Sequence, residues 1–102
     1  MIDFISTRAG ASPQDRACAR LLTSVIVSAI QDASEPLSSD ERRLHRSQSV
    51  TARLALRYLF DPKGNPFTAH ARLVGSCAES IREALLANNQ HLRARFDMSE
   101  YA

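Results

Sequence analysis

Tryptophan is missing from this 102-residue chain, glycine appears three times, cysteine twice and lysine once. Each scarcity removes a class of function. Gly10, Gly64 and Gly75 are too scattered to build a loop that cradles phosphate, and Asp61-Pro62-Lys63-Gly64-Asn65 reads as a turn. Cys18 and Cys77 lie far apart and match no metal or redox spacing, the pattern of two buried thiols in a reducing, cytoplasmic setting. His45, His70 and His91 share no ligand spacing with one another, with a cysteine or with a carboxylate, so neither a metal nor a cofactor is expected. Glu79 and Glu83 stand one turn apart, a pairing common on helices and seldom catalytic, and nothing points to an enzyme. No apolar run approaches the roughly 20 residues of a membrane span. Met1–Ile5 carries Asp3 where an export signal places bases.

What the chain does have is arginine, unevenly placed. Residues 1–41 hold three Arg against six acids, net −3, whereas residues 42–95 hold nine Arg and Lys63 against three acids, net +7. The tail 96–102 adds Asp97 and Glu100, and the whole chain comes to +2. A basic block between acidic ends suits a polyanion partner, and arginine offers the forked geometry that phosphates and carboxylates accept.

Apolar residues make up 44% of the chain, enough for one domain over 1–102, and they recur at helical spacing. A first helix is predicted over 13–33, with Ser12 as cap, Pro13 at its first position and Asp15 at its positive end. Its apolar face is broad, running through Ala17, Cys18, Leu21, Leu22, Val25, Ile26, Ala29, Ile30 and Ala33. Such breadth means that the helix is central to the core or has one side buried against a second copy, and a homodimer through it is predicted. A second helix starts at the Ser38/Glu41 capping-box spacing and is predicted to run to about Phe60, with Leu44, Thr51, Leu54, Ala55, Tyr58 and Leu59 inward. After the 61–66 loop come a short helix over 67–75 and a fourth from the Ser76/Glu79 spacing to about Ala87. The HLRARF pattern could continue as a helix or a basic tail, and Met1–Ile5 alone could alternate as a strand. The fold class is all-α, four to five helices, with a helix-turn-helix in the C-terminal half.

That last expectation rests on FTAHARLVGSCAESIREALL at 67–86. Two helices that cross steeply need a small residue at the close approach, and Ala71 stands there. Gly75, four residues on, suits the turn because positive φ is cheap for glycine. Ile81, six further, is a branched apolar plug for the second helix, with Val74 and Ala84 also inward. His70 and Ser76 fall where apolar residues are usual, and a plain helical hairpin obeys the same turn rules. On the second helix, Arg42, Arg46, Arg53 and Arg57 lie within about 60° of one another, with Arg43 beside them. A solvated face normally mixes signs, so this ridge suggests phosphate. Arg72, Arg93 and Arg95 extend the expected backbone contacts. Glu79, Ser80, Arg82 and Glu83, with Leu86, should point away from the core, where Arg82 suits a guanine edge and the glutamates a cytosine amine.

The run RSQSVTARLALRYLFDPKGNPFTAHARLVGSCAESIREALL, about 40 residues, resembles small phage and prophage proteins, including regulators associated with gene transfer agents. The matching residues are Tyr58, Leu59, Phe60 and Asp61, then Phe67, Leu73, Gly75, Ile81, Arg82 and Leu85. Tyr58 stands where such proteins often have Trp, and Cys77-Ala78 replaces Asp-Pro. The resemblance implies a helix-turn-helix regulator of transcription that binds double-stranded DNA. The rival expectation is an adaptor whose Arg ridge docks an acidic surface, on RNA polymerase or another regulator.

Overall fold

A computed structural model of the chain describes residues 13–44, 49–63 and 66–102. Among these residues there are six helices and no strand: α1 (Pro13–Ala33), α2 (Ser39–Arg43), α3 (Val50–Phe60), α4 (Phe67–Leu73), α5 (Ala78–Asn88) and α6 (Gln90–Asp97). The all-α class is therefore as the sequence predicts. The Ser12 cap and the Met1–Ile5 segment lie outside the described residues.

Helix α1 has the predicted bounds, with Pro13 first and Asp15 in its first turn. Its buried row is Ala19, Ile26, Ala29 and Ala33, flanked by half-buried Leu22 and Ile30. Helix α2 begins with the full capping box: Glu41 N–H donates to Ser38 Oγ and Ser38 N–H to Glu41 Oε1, both at 3.1 Å.

The predicted second helix is instead two. Helix α2 ends at a Leu44 cap, and α3 starts afresh from Ser49, whose hydroxyl accepts the Ala52 N–H at 3.2 Å. Serine competes with the helical ladder through such bonds, and here it resets the helical phase. The inward face of α3 is consequently Ala52, Ala55, Leu56 and Leu59, while Leu44, Thr51 and Leu54, expected inside, are exposed.

The core is assembled around α1, which packs most extensively on α3 and also meets α4 and α6, with α5 spanning α4 and α6. Phe67, Leu56, Leu59 and Leu92 are its largest fully buried apolar side chains. Each contributes about 1.5–3 kcal/mol by leaving water. Asn89 ties the last helix in: its Oδ1 caps α6 through the Leu92 N–H at 3.1 Å, and its Nδ2 donates to Ser34 Oγ at 2.6 Å. The two thiols depart from expectation, since Cys18 and Cys77 are both exposed.

Candidate nucleic-acid interface

The corner between α4 and α5 is built from backbone requirements. Helix α4 ends in a Schellman arrangement: the Ser76 N–H donates to Ala71 O at 2.8 Å and the Gly75 N–H to Arg72 O at 3.0 Å. This closure needs a left-handed residue, and Gly75 supplies it at φ 82°. Ala71 is fully buried and Val74 nearly so, which lets α5 approach closely after a turn over 74–77. Phe67 anchors the start of α4 in the core beside Tyr58, with ring centroids 5.4 Å apart. His70, an unexpected polar residue there, is accounted for by a 2.7 Å hydrogen bond between its Nδ1 and the Tyr58 hydroxyl.

Helix α5 starts from Cys77 and not from a Ser76/Glu79 box. Its inward row is Ala78, Ile81, Arg82, Leu85 and Leu86. Ala84, expected inside, is exposed; Leu86, expected outside, packs on the core. Glu79, Ser80 and Glu83 do face solvent.

Arg82 does not join them. It is half-buried, its Nε donates to Leu59 O at 2.6 Å, and its guanidinium lies 5.4 Å from the Phe67 ring centroid. The cation thus serves the carbonyl end of α3, where the helix dipole is negative, and fastens α5 to it. As a free reader of guanine it is misplaced.

Arg95 is a second correction. Expected on phosphate, it is entirely buried and paired with Glu41, Nη1 to Oε2 at 2.8 Å and Nη2 to Oε1 at 3.3 Å. Nη2 also donates to Pro36 O at 3.1 Å, and Nε to Glu35 O. Leu92 and Phe96 flank it on the packed side of α6, and that placement on an apolar stripe was the signal available in the sequence.

The remaining arginines stay outside. Arg42, Arg53 and Arg72 are exposed, and no ion pair joins them to another described residue. Arg43, Arg57 and Arg93 are also exposed, each with an aspartate one turn away: Asp40 at 3.5 Å, Asp61 at 3.7 Å and Asp97 at 2.9 Å. Arg46 lies outside the described residues. Because α2 and α3 are separate, the ridge is no single helical line.

Two clefts adjoin these cations. One, about 320 Å³, opens between α4 and α5 and is lined by Thr68, Arg72, Ser76, Cys77, Ala78, Glu79 and Arg82. Within it the backbone N–H of Ser80, then that of Glu79, holds the Cys77 thiol below its ordinary pKa. The other, about 390 Å³, lies between α3 and the last turn of the chain, with Arg53, Arg57, Leu54, Leu56, Met98, Ser99, Glu100 and Tyr101 around it. No helix among the described residues is long and apolar enough to cross a membrane. No group of three or more metal-ligating side chains occurs among them either. No family model, characterised protein or solved structure matches the chain.

Proposed function

We propose that the chain is a small sequence-specific DNA-binding regulator of transcription, phage- or prophage-like in type. In this reading α4, the 74–77 turn and α5 act as a helix-turn-helix. One observation carries it: the α4–α5 corner has a fully buried Ala71, a positive-φ Gly75 and an inward Ile81 at the spacing a steep crossing requires. The same corner leaves Glu79, Ser80 and Glu83 exposed along the outer side of α5.

The chemistry divides between position and sequence. Arg42, Arg53 and Arg72 take phosphates directly, while Arg43, Arg57 and Arg93 exchange an aspartate for one. Exposed ion pairs are worth roughly 0–1 kcal/mol, so that exchange costs little. Glu79 and Glu83 accept from the cytosine amine, and Ser80 contacts a base edge or phosphate. Arg82 positions α5 from behind. The two glutamates repel backbone at every other register, which favours selectivity over raw affinity. Such a regulator acts in the cytoplasm, and as a homodimer it would read paired half-sites.

A second reading, an adaptor on an acidic protein surface such as RNA polymerase or another regulator, is favoured by the α3 cleft. There Arg53 and Arg57 sit among Leu54, Met98 and Tyr101, a basic and apolar mixture suited to an acidic peptide. Selection from a random duplex library, followed by salt titration, separates the two. DNA binding predicts an enriched site, and Arg53→Ala and Arg72→Ala each flatten the salt slope by about one unit. No duplex binding at low salt leaves the adaptor.

A further inference from the structure

We propose that the exposed side of α1 and α3 is a two-fold interface between two copies of this chain, with the α1 helices antiparallel. The proposal uses no residue of the α4–α5 corner and does not depend on nucleic acid.

Helix α1 carries two seams. The core seam is Ala19, Leu22, Ile26, Ala29 and Ala33. The other is Gln14, Cys18, Leu21, Val25, Ser28 and Asp32, alternating steps of four and three like the contact positions of a coiled coil. At 100° per residue the second seam lies about 100° round the helix from the first. Its apolar members are uncovered, Leu21 being 67% and Val25 41% exposed.

Helix α3 widens the same surface. Leu54 is 59% exposed, and with Thr51 and Tyr58 it faces Val25, Ser28 and Asp32 across a groove of about 470 Å³. Val50, 60% exposed, stands one turn before Leu54. The groove thus runs along the second seam of α1, and its far wall is α3.

The second copy is the occupant because the seam complements itself. Laid antiparallel, Leu21 of each α1 meets Val25 of the other, Cys18 meets Ser28, and Gln14 meets Asp32. The apolar pair falls in the middle and polar pairs close both ends. Asp32 then sits at the positive end of the opposing helix dipole, whereas parallel pairing sets Asp32 against Asp32. Area supports the inclusion of α3. A 21-residue α1 and an 11-residue α3 present a footprint of about 500 Å² per copy, or about 1,000 Å² in the pair, the threshold for specific association. Helix α1 alone falls short of it. An interface of this size is at the low end for specific association, where weak, reversible pairing is the rule.

Sedimentation equilibrium of the full chain without DNA, from low to high micromolar, tests this. A reversible dimer is expected. Val25→Glu and Leu54→Glu, both at exposed positions, should weaken it roughly tenfold or more while the helical circular dichroism is unchanged. Dimerisation that both variants leave untouched overturns the proposal. So does a monomer throughout, whether the face stays bare or residues 1–12 of the same chain cover it. Orientation is read by thiol cross-linking in a Cys77→Ser background. Adding Ser28→Cys should yield cross-linked dimer between position 28 and Cys18 of the other copy. Cross-linking through Cys18 alone, without that substitution, would mean parallel helices and refute the register.

Discussion

Arg95 and Glu41, 54 residues apart in sequence, meet in a buried fork of two hydrogen bonds, at 2.8 and 3.3 Å. The same guanidinium satisfies the Glu35 and Pro36 carbonyls, and the same carboxylate accepts the Ser38 N–H at 3.1 Å and the Ser49 N–H at 3.4 Å. One side-chain pair therefore closes the end of α1, the cap of α2 and the start of α3 against α6.

Arg95→Ala leaves a carboxylate buried without its counter-charge, and the expected loss is about 3–5 kcal/mol in urea unfolding. Pairing it with Glu41→Leu should recover only part, because the Glu35 and Pro36 carbonyls still lack donors. Full recovery in the double variant would show that the carbonyl contacts are dispensable.

Arg82→Ala should lower stability by roughly 1.5–3 kcal/mol, the worth of a hydrogen bond from a charged donor, read as a fall in thermal midpoint. Arg82→Lys keeps the charge and loses the Nε geometry, so it should fall between. Well below the midpoint, the base preference of any selected duplex site should survive Arg82→Ala. A changed preference with unchanged stability would restore Arg82 as a base reader.

At Gly75, φ is 82°, a conformation that costs an L-residue about 1–2 kcal/mol. Gly75→Ala should show that cost in circular-dichroism melts, and Gly75→Val a larger one, since a β-branched side chain tolerates positive φ poorly. A neutral Gly75→Val would mean that the turn relaxes without the Schellman closure.

Cys77 should alkylate at lower pH than an ordinary cysteine does. Its pKa is lowered chiefly by the Ser80 and Glu79 N–H groups at the start of α5. The pH profile of iodoacetamide reaction at Cys77, followed by peptide mass spectrometry, should therefore have its midpoint below that of the same residue in urea. Coincident midpoints would show that the helix start does nothing for the thiol.

Helices read best from the sequence where caps and period agree. Pro13, Asp15 and the run to Ala33 define α1, and the Ser38/Glu41 box marks α2. The break before α3 was harder to see, because Ser47-Gln48-Ser49 reads equally well as the polar face of a longer helix. The local cap of Ser49 on the Ala52 N–H, reinforced by its tertiary bonds to Glu41 and Glu35, decides it. The same limit hid the arginines. Arg42, Arg53, Arg82 and Arg95 look alike in a charge count, yet two are exposed and two serve backbone carbonyls. A carbonyl acceptor has no sequence signature. The Ala71–Gly75–Ile81 spacing was legible because each residue answers a backbone or packing need of its own.

The stitching of α6 to the front of the chain also sets an order of events during synthesis. Glu41 gains its buried counter-charge, and Ser34 its Asn89 donor, only after residues 89–95 have been made. At roughly 5–20 residues per second the wait between Glu41 and Arg95 is about 3–11 s. Through that interval α1 and α2 can form locally, but the acid in the capping box has nowhere favourable to be buried. Packing of α1 on α3 does not need α6, but the Glu41–Arg95 fork and the Ser34–Asn89 bond cannot close before it is made.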